Sequence, residues 1–134
     1  VQADQLTSAS TESIPALRVG LNPLRPWAVR LEAAKASDVL LKRVAALPGG
    51  GQGVAEALVP HVLGCLDEVK VSALRTAALG ALGEAVRAAK GSKVVHTVES
   101  ALEQLVSREI NTVVKAEAVR LLSELRASVV GMED

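Results

Sequence analysis

Apolar residues recur at spacings of three and four along most of the chain, and Lys, Arg and Glu occupy many of the positions between them. This period is typical of amphipathic α-helices, whereas the period-two alternation of strands does not persist over any segment. The pattern predicts a short helical segment through Ile14, Leu17 and Leu21 and then five helices. These five are expected over residues 26–47, 53–67, 70–90, 93–108 and 111–128.

Proline and glycine mark the predicted boundaries. Pro23 and Pro26 end the first segment, because proline lacks an N–H donor and moves the preceding residue out of the α region. Pro26 also suits the first turn of the next helix. Pro48 and the glycine-rich stretch at 49–53 predict a flexible loop. Gly91 and Ser92 predict a turn and a helix cap.

Composition supports an all-α fold. Hydrophobic residues make up 49% of the 134-residue chain, yet Phe and Tyr are absent and Trp27 is the single aromatic residue. The apolar residues are therefore mainly Ala, Leu and Val. Ala and Leu are among the strongest helix formers, and small side chains let helices approach closely.

Charge and cysteine content exclude several classes of function. With 15 basic and 15 acidic residues the chain has no net charge, and nucleic acid or an acidic membrane would require a basic excess. Residues 96–134 contain four basic and seven acidic residues, so the chain is mildly dipolar. Solvated helix faces are the favoured interpretation of this asymmetry, and an acidic protein partner along the basic part is the alternative. A lone cysteine excludes an internal disulfide and leaves the compartment open, although a reducing one is favoured and a cytoplasmic location is expected.

The chain contains an internal repeat. A shift of 45 residues aligns the first copy with the second, and a shift of 40 aligns the second with the third. The five-residue difference equals the length of the glycine stretch at 49–53, which we interpret as an insertion. Matched positions carry one residue class in each copy: Leu17, Val62 and Leu102; Arg30, Arg75 and Lys115; Ala33, Ala78 and Ala118.

This periodicity predicts one domain over residues 11–130, built from three helical hairpins at about 11–47, 53–90 and 93–128. Stacked hairpins share a continuous core, because one amphipathic hairpin cannot cover its own apolar face. The polar N-terminal segment at 1–10 is expected to be disordered, and residues 131–134 are expected to fray.

The second helix of the middle copy resembles the HEAT-repeat family of α-solenoids. The residues that match are Leu74, Arg75, Ala78, Ala81, Leu82 and Gly83, together with Pro60 on the first helix. The third copy matches at Val114, Lys115, Ala118 and Leu121, with Glu109 at the acidic turn position.

That resemblance implies a right-handed α-α superhelix of about three hairpins. It also implies hydrogen bonds between an acid and a base of neighbouring repeats. Two departures from the family pattern stand out. Ser37 and Asp38 replace the usual Leu-Gly in the first copy, and Asp67 lies two residues further from Arg75 than the family spacing.

Candidate chemistry is sparse. The glycine stretch lacks the Lys-Ser/Thr of a P-loop, and no Gly-x-Ser-x-Gly is present. His61 and Cys65 are one helical turn apart, but a structural zinc site requires four ligands and His96 is the only other candidate. Glu99 and Glu103 are expected on a solvated face. The sequence therefore predicts no enzyme activity, no cofactor and no metal.

The predicted function is a non-enzymatic protein-protein interaction scaffold, expected to be a fragment or subunit of a larger assembly with neighbouring repeats or subunits at the ends of its stack. Candidate protein-binding residues are Trp27, Arg30, Arg75 and Lys115. A more conservative role for the three basic residues is to bridge neighbouring repeats. Trp27-x-x-Arg30-x-x-Ala33 also resembles the opening of TOG domains, the HEAT-built modules that bind tubulin. This resemblance implies a cytoskeletal, tubulin-binding alternative, while neither nucleic acid nor a membrane is an expected partner.

Overall fold

The computed structural model describes residues 13–47, 51–68, 70–90 and 92–133, with side chains described up to residue 127. The segment at 1–10 that was expected to be disordered lies outside these ranges. Six α-helices are present in the described part of the chain, which confirms the all-α prediction. They are α1 (residues 13–21), α2 (Trp27–Ala45), α3 (Gln52–Gly64), α4 (Ser72–Ala88), α5 (Lys93–Arg108) and α6 (Thr112–Glu133).

Local signals set several helix ends. Pro26 occupies the N-cap position of α2, where its missing N–H has no consequence. The Ser92 hydroxyl accepts a hydrogen bond from the N–H of Val94 at 3.2 Å and caps α5 as predicted. Asn111 does the same for α6 by accepting from the N–H groups of its first turn. Helix α6 continues to Glu133, beyond the expected end at 128, because one glycine does not terminate a helix.

The helices pack pairwise around α4. Helix α4 packs on α2 most extensively and also contacts α3, α5 and α6, while α3 contacts α5 and α5 packs on α6. Small residues permit close approach: a Cβ added at Gly20 would lie 2.8 Å from the Cβ of Ala33 on α2. The core consists of Leu, Val and Ala, and its largest fully buried side chains include Leu21, Leu41, Leu58, Leu74, Leu79, Leu82, Leu102 and Leu105.

The glycine-rich connection between α2 and α3 was predicted to be a flexible loop, and residues 48–50 lie outside the described ranges. Gly51 is buried at the start of α3. A Cβ there would lie 2.7 Å from the Ala88 Cβ and 2.9 Å from the Ala88 carbonyl oxygen. The end of this connection is therefore packed against the end of α4, and a side chain larger than hydrogen does not fit.

Helices of the described ranges do not combine the length and the apolar character that a bilayer-spanning helix requires.

Candidate protein-docking site at the hairpin turns

The turns that join α1 to α2 and α3 to α4 lie together at one end of the molecule, held by Arg30. Its Nε donates to the Leu21 carbonyl at the end of α1, and its Nη2 donates to the Gly64 carbonyl at the end of α3, both at 3.3 Å. Nη1 lies 3.4 Å from Glu68 in the following turn. Carbonyls at a helix C-terminus lack partners within the helix, so one buried guanidinium completes two helix ends.

Arg75 holds the third turn, between α5 and α6, against the second hairpin. Its Nη1 donates to Glu109 Oε1 at 2.7 Å. Both residues are buried, with exposed fractions of 5% and 8%. The other Glu109 oxygen accepts from the N–H of Asn111 at 3.0 Å, which links the ion pair to the cap of α6. Among the described side chains, Arg75 Nε is a buried donor without a hydrogen-bond partner.

Acid-base contacts therefore connect consecutive hairpins, although the acid at the second turn was not the one considered from the sequence. Glu68 pairs with Arg30, whereas Asp67 pairs with Arg108 at 3.2 Å on the surface. Glu68 is adjacent to Asp67 in the sequence, and residue spacing does not distinguish the two carboxylates. Glu109 occupies the acidic turn position that the resemblance indicated.

Large apolar side chains project from the same end of the molecule. Leu24 is 93% exposed in the first turn, and Ile110 is 90% exposed in the third. Trp27 and Val113, in the first turns of α2 and α6, are each more than half exposed. These exposed apolar side chains in the first and third turns make this end of the molecule a candidate interaction site.

The charges around these side chains leave a basic excess. Arg25, Lys70 and Lys115 are exposed and form no ion pair with any described residue. The acids beside them, Asp67, Glu68 and Glu109, are each paired with an arginine. We call the exposed residues at this end the turn face: Leu24, Arg25, Trp27, Lys70, Ile110, Val113 and Lys115.

The four candidate binding residues fall into two groups. Trp27 and Lys115 lie on the turn face. Arg30 and Arg75 lie beneath it, buried, and their described contacts bridge neighbouring hairpins. The sequence did not single out Leu24 or Ile110, because an apolar residue in a turn carries no signal of its degree of exposure.

A cleft of about 260 Å³ opens between the second and third hairpins beside Ile110. Its lining combines three apolar and four charged side chains: Leu66, Leu105 and Ile110, and Asp67, Arg75, Arg108 and Glu109. The side chains that line it contain no nucleophile beside a base.

His61 and Cys65 do not form a metal site with other described residues, among which no group of three or more His, Cys, Asp or Glu is placed to hold an ion. The Cys65 thiol is buried, and its Sγ lies 3.9 Å from the His61 carbonyl oxygen. Burial raises the pKa of this thiol, and the nearby Arg30 guanidinium opposes part of that rise. Cys65 therefore packs as a small apolar residue.

Comparison with protein-family models, curated proteins and solved structures found no match to this chain. The HEAT assignment, the superhelical arrangement and the TOG alternative accordingly stay predictions from the sequence.

Proposed function

We propose that this protein is a non-enzymatic scaffold of HEAT type that binds an acidic protein through the turn face. The buried arginines position this surface by holding the three turns at one end. The exposed apolar side chains would then provide the contact area, and the exposed cations would orient the partner.

The order of helix contacts supports a stacked-hairpin scaffold. The second helices of the hairpins lie in series, α2 on α4 and α4 on α6, and the first helices α3 and α5 are also neighbours. Arg30 and Arg75, which match in the repeat register, each reach from one hairpin to the turn of the next. Lys115, the third member of that register, is exposed on α6.

The observation that carries the proposal is the near-complete exposure of Leu24 and Ile110 at the same end of the molecule. Water contact with such side chains is unfavourable, and covering both would release roughly 1.5–3 kcal/mol for each. Lys70 and Lys115 lie at that end and pair with no acid of the described ranges, so an acidic surface with apolar residues at its centre is complementary to it.

Affinity capture followed by measurement of Kd with the purified partner tests the proposal. Ile110→Asp and Leu24→Asp should each weaken binding by about tenfold or more, because a carboxylate would replace a central apolar contact. Lys115→Glu should mainly slow association and reduce its dependence on salt. Lys93→Glu is the matched control, since Lys93 is exposed at the opposite end of α5.

Unchanged Kd values for the Leu24 and Ile110 variants, or an equal loss in the Lys93 control, would contradict the assignment of this surface. Far-UV circular dichroism of each variant separates a binding defect from unfolding. All four side chains are exposed, so the variants are expected to fold normally.

The second candidate is a TOG-like module that binds tubulin, and the position of Trp27 favours it. This residue is 53% exposed at the start of α2, on the turn face, where an aromatic anchor could enter a partner pocket. Co-sedimentation with purified tubulin is expected if this candidate is right, and Trp27→Ala should abolish it. Binding of another acidic protein without tubulin binding would favour the general scaffold.

A further inference from the structure

A second surface, distinct from the turn face, lies along the outer side of α2. Five positions of this helix, together with the residue that follows its end, repeat at spacings of three and four, and all six residues are exposed. Positions at this spacing share one face of a helix. We call them the α2 stripe: Val29, Glu32, Ala36, Val39, Arg43 and Ala46.

The stripe lies away from the side of α2 that packs on α4. That packed side carries the buried Ser37, Leu41 and Val44. Asp38 lies against Gly80 of α4, where an added Cβ would be 3.4 Å from Asp38 Oδ2. Helix α4 therefore covers one side of α2, and the stripe lies on the other side, where residues of α1 border it along one edge.

Val39 and Ala36 also line a groove of about 480 Å³ between α1 and α2, together with Leu17, Leu40 and Arg43. The corresponding face of α4 is covered: Ala81, which matches Ala36 in the 45-residue register, has an exposed fraction of 0%. The fold thus buries this helix face at Ala81 in the second hairpin and leaves the matching face exposed at Ala36 in the first.

We propose that the α2 stripe is the interface of a homodimer in which the α2 helices of two copies pack antiparallel. An antiparallel pair with its two-fold axis between residues 37 and 38 places Ala36 opposite Val39 of the second copy. The same axis places Glu32 opposite Arg43 and Val29 opposite Ala46. An interface around a two-fold axis must be self-complementary, and this stripe is.

Charge selects this arrangement over a parallel one. The antiparallel pair forms two Glu32–Arg43 contacts that flank the Ala36–Val39 centre, whereas a parallel pair would place Glu32 on Glu32 and Arg43 on Arg43. Arg43 forms no ion pair with a described residue, and the partner of Glu32 within the chain is the exposed Lys35 at 3.6 Å. Arg43 is therefore available to pair across the dimer, and Glu32 can exchange its exposed partner Lys35 for it.

This dimer does not depend on the proposed function. The α2 stripe and the turn face have no residue in common, so failure of one proposal leaves the other standing. Dimerisation would place two turn faces in one particle and allow bivalent binding of a repeated partner.

Sedimentation equilibrium of the full 134-residue chain over a concentration series tests the dimer. The wild-type chain is expected to dimerise, and Glu32→Arg and Arg43→Glu should each weaken dimerisation by roughly tenfold or more, since each creates two like-charge contacts. Val39→Glu should abolish it, because the new carboxylate lies at the apolar centre. Glu56→Arg on the exposed face of α3 is the charge-matched control and should leave the dimer unchanged.

Two rescue experiments make the test specific. An equal mixture of the Glu32→Arg and Arg43→Glu chains should form a heterodimer, since every facing pair is then of opposite charge. The double variant Glu32→Arg/Arg43→Glu should recover self-association. A wild-type chain that is monomeric up to about 1 mM overturns the proposal. So does a dimer that neither charge variant weakens, or one that the mixture does not restore.

Discussion

The two buried arginines occupy matching positions in successive hairpins, yet they join their neighbours in different ways. Arg30 makes three long contacts, to the Leu21 carbonyl, the Gly64 carbonyl and Glu68, at 3.3–3.4 Å. Arg75 makes one short contact to Glu109, at 2.7 Å. We refer to these as the first and second junctions. The first spreads one charge over two helix ends, whereas the second concentrates it in one buried ion pair.

The way the preceding helix ends explains this difference. Helix α3 finishes in a 3₁₀ turn at Cys65–Asp67, and Glu68 follows it with a side chain that is 36% exposed. Helix α5 finishes without such a turn, and Glu109 follows Arg108 directly in an extended conformation, so its side chain turns inward. The two turn acids, which are one residue apart in the 40-residue register, are therefore partly hydrated in the first junction and desolvated in the second.

Burial decides how much each acid contributes. Removal of one partner of a desolvated pair leaves the other charge buried and unpaired, whereas water compensates for the loss of an exposed acid. Stability effects should accordingly follow the burial of the acid, and four substitutions test this order from the largest effect to the smallest.

Glu109→Ala should have the largest effect. The substitution leaves the Arg75 guanidinium buried without its ion-pair partner, and the Nε of this guanidinium already lacks a hydrogen-bond partner among the described residues. It also removes the carboxylate oxygen that accepts from the Asn111 N–H. The expected loss in the free energy of unfolding is about 3–5 kcal/mol. Urea denaturation followed by circular dichroism measures it.

The double variant Arg75→Met/Glu109→Leu is the control for this result. It removes both charges and fills much of the same volume, so it should recover most of the stability lost by Glu109→Ala. A Glu109→Ala loss below about 1 kcal/mol, as in a surface pair, would show that the second junction is not desolvated in solution.

The positions that form the junctions could be predicted from the sequence more readily than their energetics. Ala- and Leu-rich periodicity and the proline and glycine breaks predicted all six helices within a few residues of their observed starts. Because Arg30 and Arg75 align in the repeat register, a common role for them was also predictable. Bridging between repeats was one of the two roles considered, and the described contacts of both arginines are of that kind.

Other features depended on geometry that residue spacing does not encode. The 3₁₀ turn after α3 places Glu68, not Asp67, beside Arg30, and no sequence pattern distinguished the two carboxylates. The exposure of Leu24 and Ile110 depends on how each turn leaves its helix. The exposure of the α2 stripe could not be predicted for a similar reason. Helix α2 carries apolar residues on two sides, and the sequence does not show which side packs against a neighbouring helix.

Arg30→Met should have the second largest effect, a loss of about 2 kcal/mol. The long side chain of methionine fills the space but donates no hydrogen bond, so the Leu21 and Gly64 carbonyls lose a donor at the ends of α1 and α3. Glu68 is partly exposed and can be hydrated, which keeps the loss below that of Glu109→Ala. The same denaturation assay measures it, with Arg108→Met as the exposed control. An Arg30→Met loss equal to that of the control would contradict the capping role.

Glu68→Gln should lower the free energy of unfolding by less than about 1 kcal/mol. The contacts of Arg30 with the two helix ends remain, and the acid that is replaced is partly solvated. Cys65 reports on this junction directly, since its buried thiol lies near Arg30 and reacts with a labelling reagent only when the junction opens. The labelling rate should rise by up to about fivefold in the variant. A rate increase far above this would show that Glu68 contributes as much as a buried acid.

Asp67→Asn should have the smallest effect and sets the baseline for the comparison. The Asp67–Arg108 pair joins the same two hairpins as Arg75–Glu109, but its side chains are 72% and 55% exposed. Loss of this pair should change the free energy of unfolding by no more than about 0.5 kcal/mol, and raising the salt concentration should reduce even that. The urea midpoint at low and high salt measures both. A larger loss of unfolding free energy for Asp67→Asn than for Glu68→Gln would show that burial of the acid does not determine the order of these contacts. The exposed Asp67–Arg108 pair would then be the contact that holds the two hairpins together.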